Sequence, residues 1–387
     1  MRSAILLLAA ALALLAGFGM WLAVTPDSLD ERAEVFLDSG GHARRAEATA
    51  LLREALARDP ASAYRWCRLG EALQETGRRQ AAHYCFRRAA ELGPNIPPVL
   101  MRAANFHFVA GAARDGLACT RRILSVVRDY DSIVFSTWSR LEVPQAEVLA
   151  HGFPPSREAR IAYFHYVLGG DSTADAARVW DWLEHDGLTE AAEAARYCEF
   201  LLLHRDFDAA AALWSASMGA GSPDYPRPNR VFNGGFESAP GAGPLDWLVT
   251  PAEGVTVARD TRMVHGGAYS LRLSFDGRDN LAYRHVGERV VIAPGAYRFR
   301  ASVRAAELTS GEGIRFRIFD AEAPARLEMA TSPVGGTTGW TTLEARLRVR
   351  PPTRLLSIEI ARKPSLRFDN RISGTAWIDD VELVPDR

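Results

Sequence analysis

Two stretches, Asn233-Gly234-Gly235-Phe236-Glu237 and Ala376-Trp377-Ile378-Asp379-Asp380-Val381-Glu382-Leu383, bracket the segment whose reading decides the fold of this 387-residue chain. Between them the apolar residues recur at every second position. Tyr297-Arg298-Phe299-Arg300-Ala301-Ser302-Val303-Arg304 alternates in this way, as do Ile314-Arg315-Phe316-Arg317-Ile318 and Leu343-Glu344-Ala345-Arg346-Leu347-Arg348-Val349-Arg350. A period of two sends successive side chains to opposite faces of an extended strand, so these read as half-buried strands. Turns rich in Gly, Pro and Asp separate them, which predicts an antiparallel β-sandwich over residues 229–387.

Further motifs lie between the brackets: Trp247, His265-Gly266-Gly267-Ala268-Tyr269-Ser270-Leu271, Pro294-Gly295-Ala296-Tyr297 and Trp340-Thr341. In order and spacing the whole set resembles the jelly-roll carbohydrate-binding modules of glycoside hydrolases (families four, nine and twenty-two), which have a galactose-binding-like fold. The resemblance implies a binding module and says little about its ligand. It also implies a structural calcium, held by the Glu of the first-strand motif, an Asp of the last strand and backbone carbonyls. The matching residues are Glu237 and either Asp379 or Asp380. Calcium takes about 6–8 oxygen ligands, and carboxylates drawn from both ends would staple the domain. The same acids also read as solvent-facing strand residues or as partners of the many arginines.

Two surfaces compete for a ligand. Carbohydrate modules stack an aromatic ring on the apolar face of a pyranose, and the aromatics at hand are Trp247, Tyr283, Trp340 and Trp377. The tryptophans stand where such modules carry structural residues, whereas Tyr283, in Asn280-Leu281-Ala282-Tyr283-Arg284-His285, is freer. Tyr283, Trp247 and Trp340 form the candidate sugar-binding set. The other surface is a stripe of Arg298, Arg300, Arg315, Arg317, Arg346 and Arg348, which alternation puts on one side of their strands. It offers guanidinium groups to an acidic polymer, or it is a solvated face in a chain whose only lysine is Lys363.

Upstream the period becomes helical. Trp66, Leu69, Gly70, Leu73, Ala82, Phe86, Ala89 and Pro94 fall at the spacing of a tetratricopeptide repeat. Gly70 and Ala82 are small where two helices approach, Phe86 fills the contact, and Pro94 stops the second helix. One period earlier Ala48, Leu52, Ala55 and Pro60 repeat the pattern, and Gly116, Thr120 and Ile123 do so one period later. The pattern then breaks at an irregular insertion, 131–156, with Pro144, Pro154 and Pro155. Ala176, Trp180 and Leu183, then Ala210 and Trp214, restore it as degenerate helical hairpins. The helical repeats are assigned to 26–217, and a Gly/Pro-rich linker to 218–228. Arrays of this kind expose a groove for a partner protein.

Residues 3–25 carry no charge, follow Arg2 and precede Asp27, Asp30 and Glu31. A run of about 20 apolar residues spans a bilayer as a helix and exceeds the usual signal-peptide core. Residues 1–25 therefore read as a single-pass inner-membrane anchor that leaves the bulk periplasmic, or, with Ala16, Gly17 and Gly19 as a cleavage site, as a signal for secretion. A net charge of −1 provides no general field for nucleic acid. Cys67, Cys85, Cys119 and Cys198 form no metal-binding pair and read as buried packing residues or a disulfide. None of the hydrolase, metalloprotease, phosphate-loop or dinucleotide motifs is present, so the chain does not read as an enzyme.

The sequence thus predicts a multidomain α plus β protein: an N-terminal transmembrane helix, a tetratricopeptide-type α-solenoid and a C-terminal jelly-roll β-sandwich. The arrangement resembles envelope proteins of bacteria that make and export extracellular polysaccharide. It implies a non-enzymatic adaptor, its solenoid on a partner protein and its sandwich on glycan. The rival reading is a protein–protein scaffold whose sandwich no longer binds sugar. An exposed aromatic cleft would favour the first, and a buried Tyr283 the second.

Overall fold

The computed structural model describes residues 29–38, 42–218, 224–368 and 370–386. They form two compact units, one ending at Asp186 and the other beginning at Gly187. Among the described residues twelve α-helices precede ten β-strands. The expected membrane segment, residues 1–25, lies outside the described residues, and among those described no helix is long and apolar enough to cross a membrane.

In the first unit, consecutive helices pack on one another along small-residue seams. The helices Ala63–Glu75 and Arg79–Leu92 meet where Gly70 faces Phe86. A Cβ at Gly70 would lie 2.9 Å from the Phe86 ring, and Ala82 and Phe86 are both buried. The Phe86 ring then stacks on Phe106 of the helix Pro97–Val109, with centroids 4.5 Å apart. The small and large positions read from the sequence therefore do meet. Trp66, by contrast, is only half-buried: its indole N–H donates to Pro60 O at 2.9 Å, and its ring meets Tyr84 edge-on.

The segment 131–156 is helical for most of its length, in Asp131–Arg140 and Gln145–His151. Its prolines mark helix starts, where a missing N–H costs nothing. Pro144 precedes Gln145, and Pro154-Pro155 lead into the helix Arg157–Val167, whose Ser156 cap accepts from Ala159 N at 3.3 Å. Trp138 is buried here, donating to Thr120 Oγ1 at 3.2 Å and meeting Phe153 edge-on. All four cysteines are buried and unpaired. Burial pushes the Cys67 and Cys198 thiols up to about 12.

The second unit holds a helical pair as well as the sandwich. The helices Ala191–Leu203 and Phe207–Met218 belong to it, although their sequence groups them with the repeats. Trp214, fully buried, meets Phe232 edge-on at 5.5 Å, and a Cβ on Gly243 would lie 2.8 Å from its indole. Ion pairs add to this packing, Arg354 Nη2 lying 2.6 Å from Asp208 Oδ1 and Arg205 Nη2 3.2 Å from Glu322 Oε2.

The strands are β1 (Leu248–Val249), β2 (Val255–Asp260), β3 (Ser270–Asp276), β4 (Tyr283–Val291), β5 (Gly295–Leu308), β6 (Arg315–Asp320), β7 (Glu328–Ala330), β8 (Gly336–Val349), β9 (Leu355–Arg362) and β10 (Ser373–Pro385). They make two five-stranded antiparallel sheets, ordered β1-β4-β9-β6-β7 and β2-β3-β10-β5-β8. The three alternating stretches read from the sequence fall in β5, β6 and β8. Their apolar sets form one core, in which Phe299 of β5 meets Phe316 of β6 at 4.9 Å. Glu288 of β4 is also buried: its Oε1 accepts from Phe232 N at 2.7 Å, and its Oε2 has no partner. Burial holds Glu288 well above the ordinary carboxyl range.

Three outcomes are expected. Phe86→Ala should cost about 3–5 kcal/mol in thermal or denaturant unfolding, as a buried aromatic leaving a cavity does. A fragment starting at Gly187 should melt higher than one starting at Asn229, because only the longer one keeps Trp214 in its site. Equal melting would show the helical pair to be a passenger. Because Glu288 is raised, the folded state keeps its proton where the unfolded chain has lost it, so wild-type stability falls with pH above the unfolded value. Glu288→Gln keeps an oxygen for the Phe232 N–H and should flatten that loss, standing about 1–3 kcal/mol above wild type near pH 8.

Candidate functional site

The two ends of the sandwich meet at an irregularity in β10. Its register against β5 shifts between Asp379 and Glu382, and Asp380 takes φ +46°. A bulge of this kind re-aims the side chains around it. Beside it runs the segment carrying Asn233 and Glu237, which is not a strand: Asn233 and Phe236 have φ of +50° and +55°. It is tied to β10 through Val381 N to Gly234 O at 2.9 Å and Arg230 N to Leu383 O at 2.9 Å. The approach is so close that a Cβ on Gly234 would fall 2.0 Å from Val381 O, which explains this glycine.

The re-aimed carboxylates close on the loop of His265 to Tyr269. Asp379 Oδ2 accepts from His265 N at 2.7 Å and Gly266 N at 3.1 Å, while its Oδ1 accepts from Asp380 N at 2.8 Å. Glu237 Oε1 accepts from Ala268 N at 2.9 Å and Tyr269 N at 3.2 Å. Asp380 Oδ2 lies 2.5 Å from His265 Nδ1. Gly267, at φ +58°, passes so near Glu237 that a Cβ would sit 2.1 Å from Oε1. Asp379 is fully buried, and desolvation raises its pKa against those hydrogen bonds.

The structure brings Glu237, Asp379 and Asp380 to one loop, where they face N–H donors. Calcium requires oxygen atoms converging on one point. Here three of the six carboxylate oxygens accept from backbone N–H groups and a fourth faces His265 Nδ1, and the three residues do not gather ligand atoms within 4.8 Å of one another. The donor set does not fit calcium as the resemblance implies.

Next to this junction lies an open cleft of about 750 Å³. Its lining includes Glu237, His265, Arg300, Ser302, Thr342, Glu344, Asp380 and Glu382. Arg300 of β5 stands in register with Glu344 of β8 and Glu382 of β10 and pairs with both, at 3.4 and 3.8 Å. With Asp224 also in the lining, five acids face this one arginine. Trp340 is half-buried, and its ring meets that of the lining His265 at 5.3 Å, nearly edge-on. Trp377 faces outward on the same sheet, between Arg272 of β3 and Arg304 of β5. Its indole N–H donates to Asp260 Oδ2 at 3.0 Å, which holds that carboxyl below its ordinary value.

The other expected aromatics lie elsewhere. Trp247 and Tyr283 are fully buried in the core, Trp247 against Phe236 and Tyr283 against Phe275. Neither can present a ring to a sugar. The arginine stripe also divides. Arg298, Arg300, Arg346 and Arg348 lie on the β5–β8 sheet, whereas Arg315 and Arg317 lie on the other. Arg317 pairs with Glu328 and Glu359, Arg315 with Glu312, and Arg346 with Glu344 and Asp386. With Arg300, four of the six are held by carboxylates, and the six are split between two sheets. Glu344 and Glu382 are lining residues that sequence reading missed, because only strand register sets them on either side of Arg300.

No protein-family model matches this chain. No curated protein matches it either. The sandwich resembles solved carbohydrate-binding modules. TmCBM61 in complex with β-1,4-galactotriose is 18% identical, the match covering 41% of this chain and 99% of that one with a TM-score of 0.30. The CBM22-1 xylan-binding domain from Paenibacillus barcinonensis Xyn10C is 15% identical, over 39% of this chain and 90% of that one, with a TM-score of 0.26. A family 16 carbohydrate-binding module is 16% identical, over 40% of this chain and 99% of that one, with a TM-score of 0.28.

Calcium titrated into the full chain should leave its melting temperature unchanged, since a ligand raises it only by binding the folded state. Glu237→Ala should cost about 1 kcal/mol by freeing two loop N–H groups. A calcium-dependent rise lost in Glu237→Ala would reveal the carboxylates as ligands.

Proposed function

We propose that the sandwich binds a neutral glycan chain in the cleft beside Trp340. The observation that carries this reading is the cleft itself: open, lined by carboxylates with Arg300 locked between two of them, and with the Trp340 indole against its lining His265. Sugar hydroxyls pair with such polar groups while a ring stacks on the indole. The acidic lining disfavours a polyanion, which turns the reading away from the arginine stripe. The bound ends of the domain are stapled directly, carboxylate to N–H, and no bond-making step is assigned to the site.

The wider reading is an envelope adaptor in polysaccharide assembly or export, its helical unit a tetratricopeptide-type array that holds a protein partner. A second cleft, of about 870 Å³, supports a docking role for that unit, with Trp138, Tyr163, Tyr166 and Arg178 among its lining. An exported location, as residues 1–25 suggest, would bring the sandwich to its glycan. The burial of Tyr283 and Trp247 favours the rival scaffold reading, in which the sandwich binds no sugar.

Affinity electrophoresis and calorimetry of the full chain against neutral and acidic polysaccharides separate the two. A neutral glycan should bind, and Trp340→Ala should weaken it about 10-fold or more, as loss of a stacking ring does. Retention by no glycan favours the scaffold, and binding indifferent to Trp340→Ala rules out the cleft beside Trp340 as the glycan site.

A further inference from the structure

Away from the sandwich, three successive helices of the first unit bring ligating side chains to one point. His83 lies on Arg79–Leu92, His107 on Pro97–Val109 and Asp115 on Ala113–Val126. One ligand atom from each lies within 4.8 Å of the others, the sole such group of three among the described residues. His83 Nε2 is 3.8 Å from Asp115 Oδ2, and the two imidazoles meet nearly edge-on with centroids 5.1 Å apart.

The residues divide into a fixed and two adjustable members. His107 is 4% exposed, and its Nδ1 is sealed from solvent with no hydrogen-bond partner. A buried imidazole nitrogen left without a partner is costly, and its presence asks for an explanation. Desolvation also lowers its pKa. The His83 and Asp115 side chains are 44% and 60% exposed, so they can rotate without repacking the core.

We propose that His83, His107 and Asp115 bind a zinc-type divalent cation that ties the three helices together. Two imidazoles and one carboxylate suit zinc and neighbouring first-row ions, and are too nitrogen-rich for calcium or magnesium. With bonds of about 2.0–2.1 Å, tetrahedral ligand atoms stand about 3.3 Å apart, so the exposed pair closes the remaining distance. Three protein ligands leave a fourth position for water. Each ligand comes from a different helix, so the ion would set their spacing along this stretch of the array.

The test uses the metal-stripped full chain titrated with zinc chloride by calorimetry, with cobalt as a visible reporter of a tetrahedral site. One zinc should bind and raise the melting temperature of the helical unit. His83→Ala and Asp115→Asn should each weaken binding at least about 10-fold while leaving the metal-free melting unchanged, because both side chains are exposed. His107→Gln, with folding checked by circular dichroism, should abolish it. Zinc binding of equal strength in His83→Ala and Asp115→Asn would overturn the assignment by locating the ion elsewhere. No saturable binding up to about millimolar zinc, an affinity of only about 4 kcal/mol, would overturn it as well.

Discussion

The bulge in β10 is the constraint on which the rest of the sandwich depends. β10 lies between β3 and β5 in its sheet and also receives the segment that begins the domain. Extra length between Asp379 and Glu382 lets one strand serve both purposes. Up to Asp379 it pairs regularly, and beyond the shift it returns its apolar side chains, Val381 and Leu383, to the core. At the shift the carboxylates of Asp379 and Asp380 reach the loop of His265 to Tyr269, which Glu237 also holds from the other side. Hydrogen bonds to a carboxylate are stronger than neutral ones, so a short loop can be held by very few.

Charge is handled locally throughout this chain. Arg300 and Arg317 are each drawn to two carboxylates on neighbouring strands. Surface pairs of this kind contribute little stability, but they decide what a surface presents. The cleft is acidic because its one arginine is already spoken for. The same exchange places Glu288 in the core, where its proton rather than a cation resolves the cost of burial.

The helical pair preceding the sandwich illustrates how tertiary packing overrides chain grouping. By pattern, Ala210 and Trp214 continue the small–large alternation of the repeats. In space, the Trp214 indole fills a gap left by Gly243 and rests on Phe232, both from the domain that follows. A glycine in a loop is the complement that makes this contact possible, and its partner lies 29 residues away in sequence. Helix periodicity reports which face is apolar and does not say what covers it.

Sequence alone determined the helical and β halves of the chain, the β-sandwich and the small–large seam of Gly70, Ala82 and Phe86, but not the helices within 131–156 or the non-strand backbone at 233–237. Each feature it determined rests on a local rule: a side-chain period of two or of about 3.6, or a glycine opposite a ring a fixed number of residues on. That Glu237 lies near Asp379 or Asp380 was only implied by the resemblance to carbohydrate-binding modules. The tertiary structure decided what they meet, namely loop N–H groups, since hydrogen-bond direction depends on the bulge and on φ angles that no periodicity encodes. It decided that Trp247 and Tyr283 are core while Trp340 and Trp377 face outward, because an aromatic residue is apolar enough for either place and only its position in the folded sandwich decides between them. Long-range register likewise set Glu344 and Glu382 about Arg300, and brought His83, His107 and Asp115 from three helices to one point.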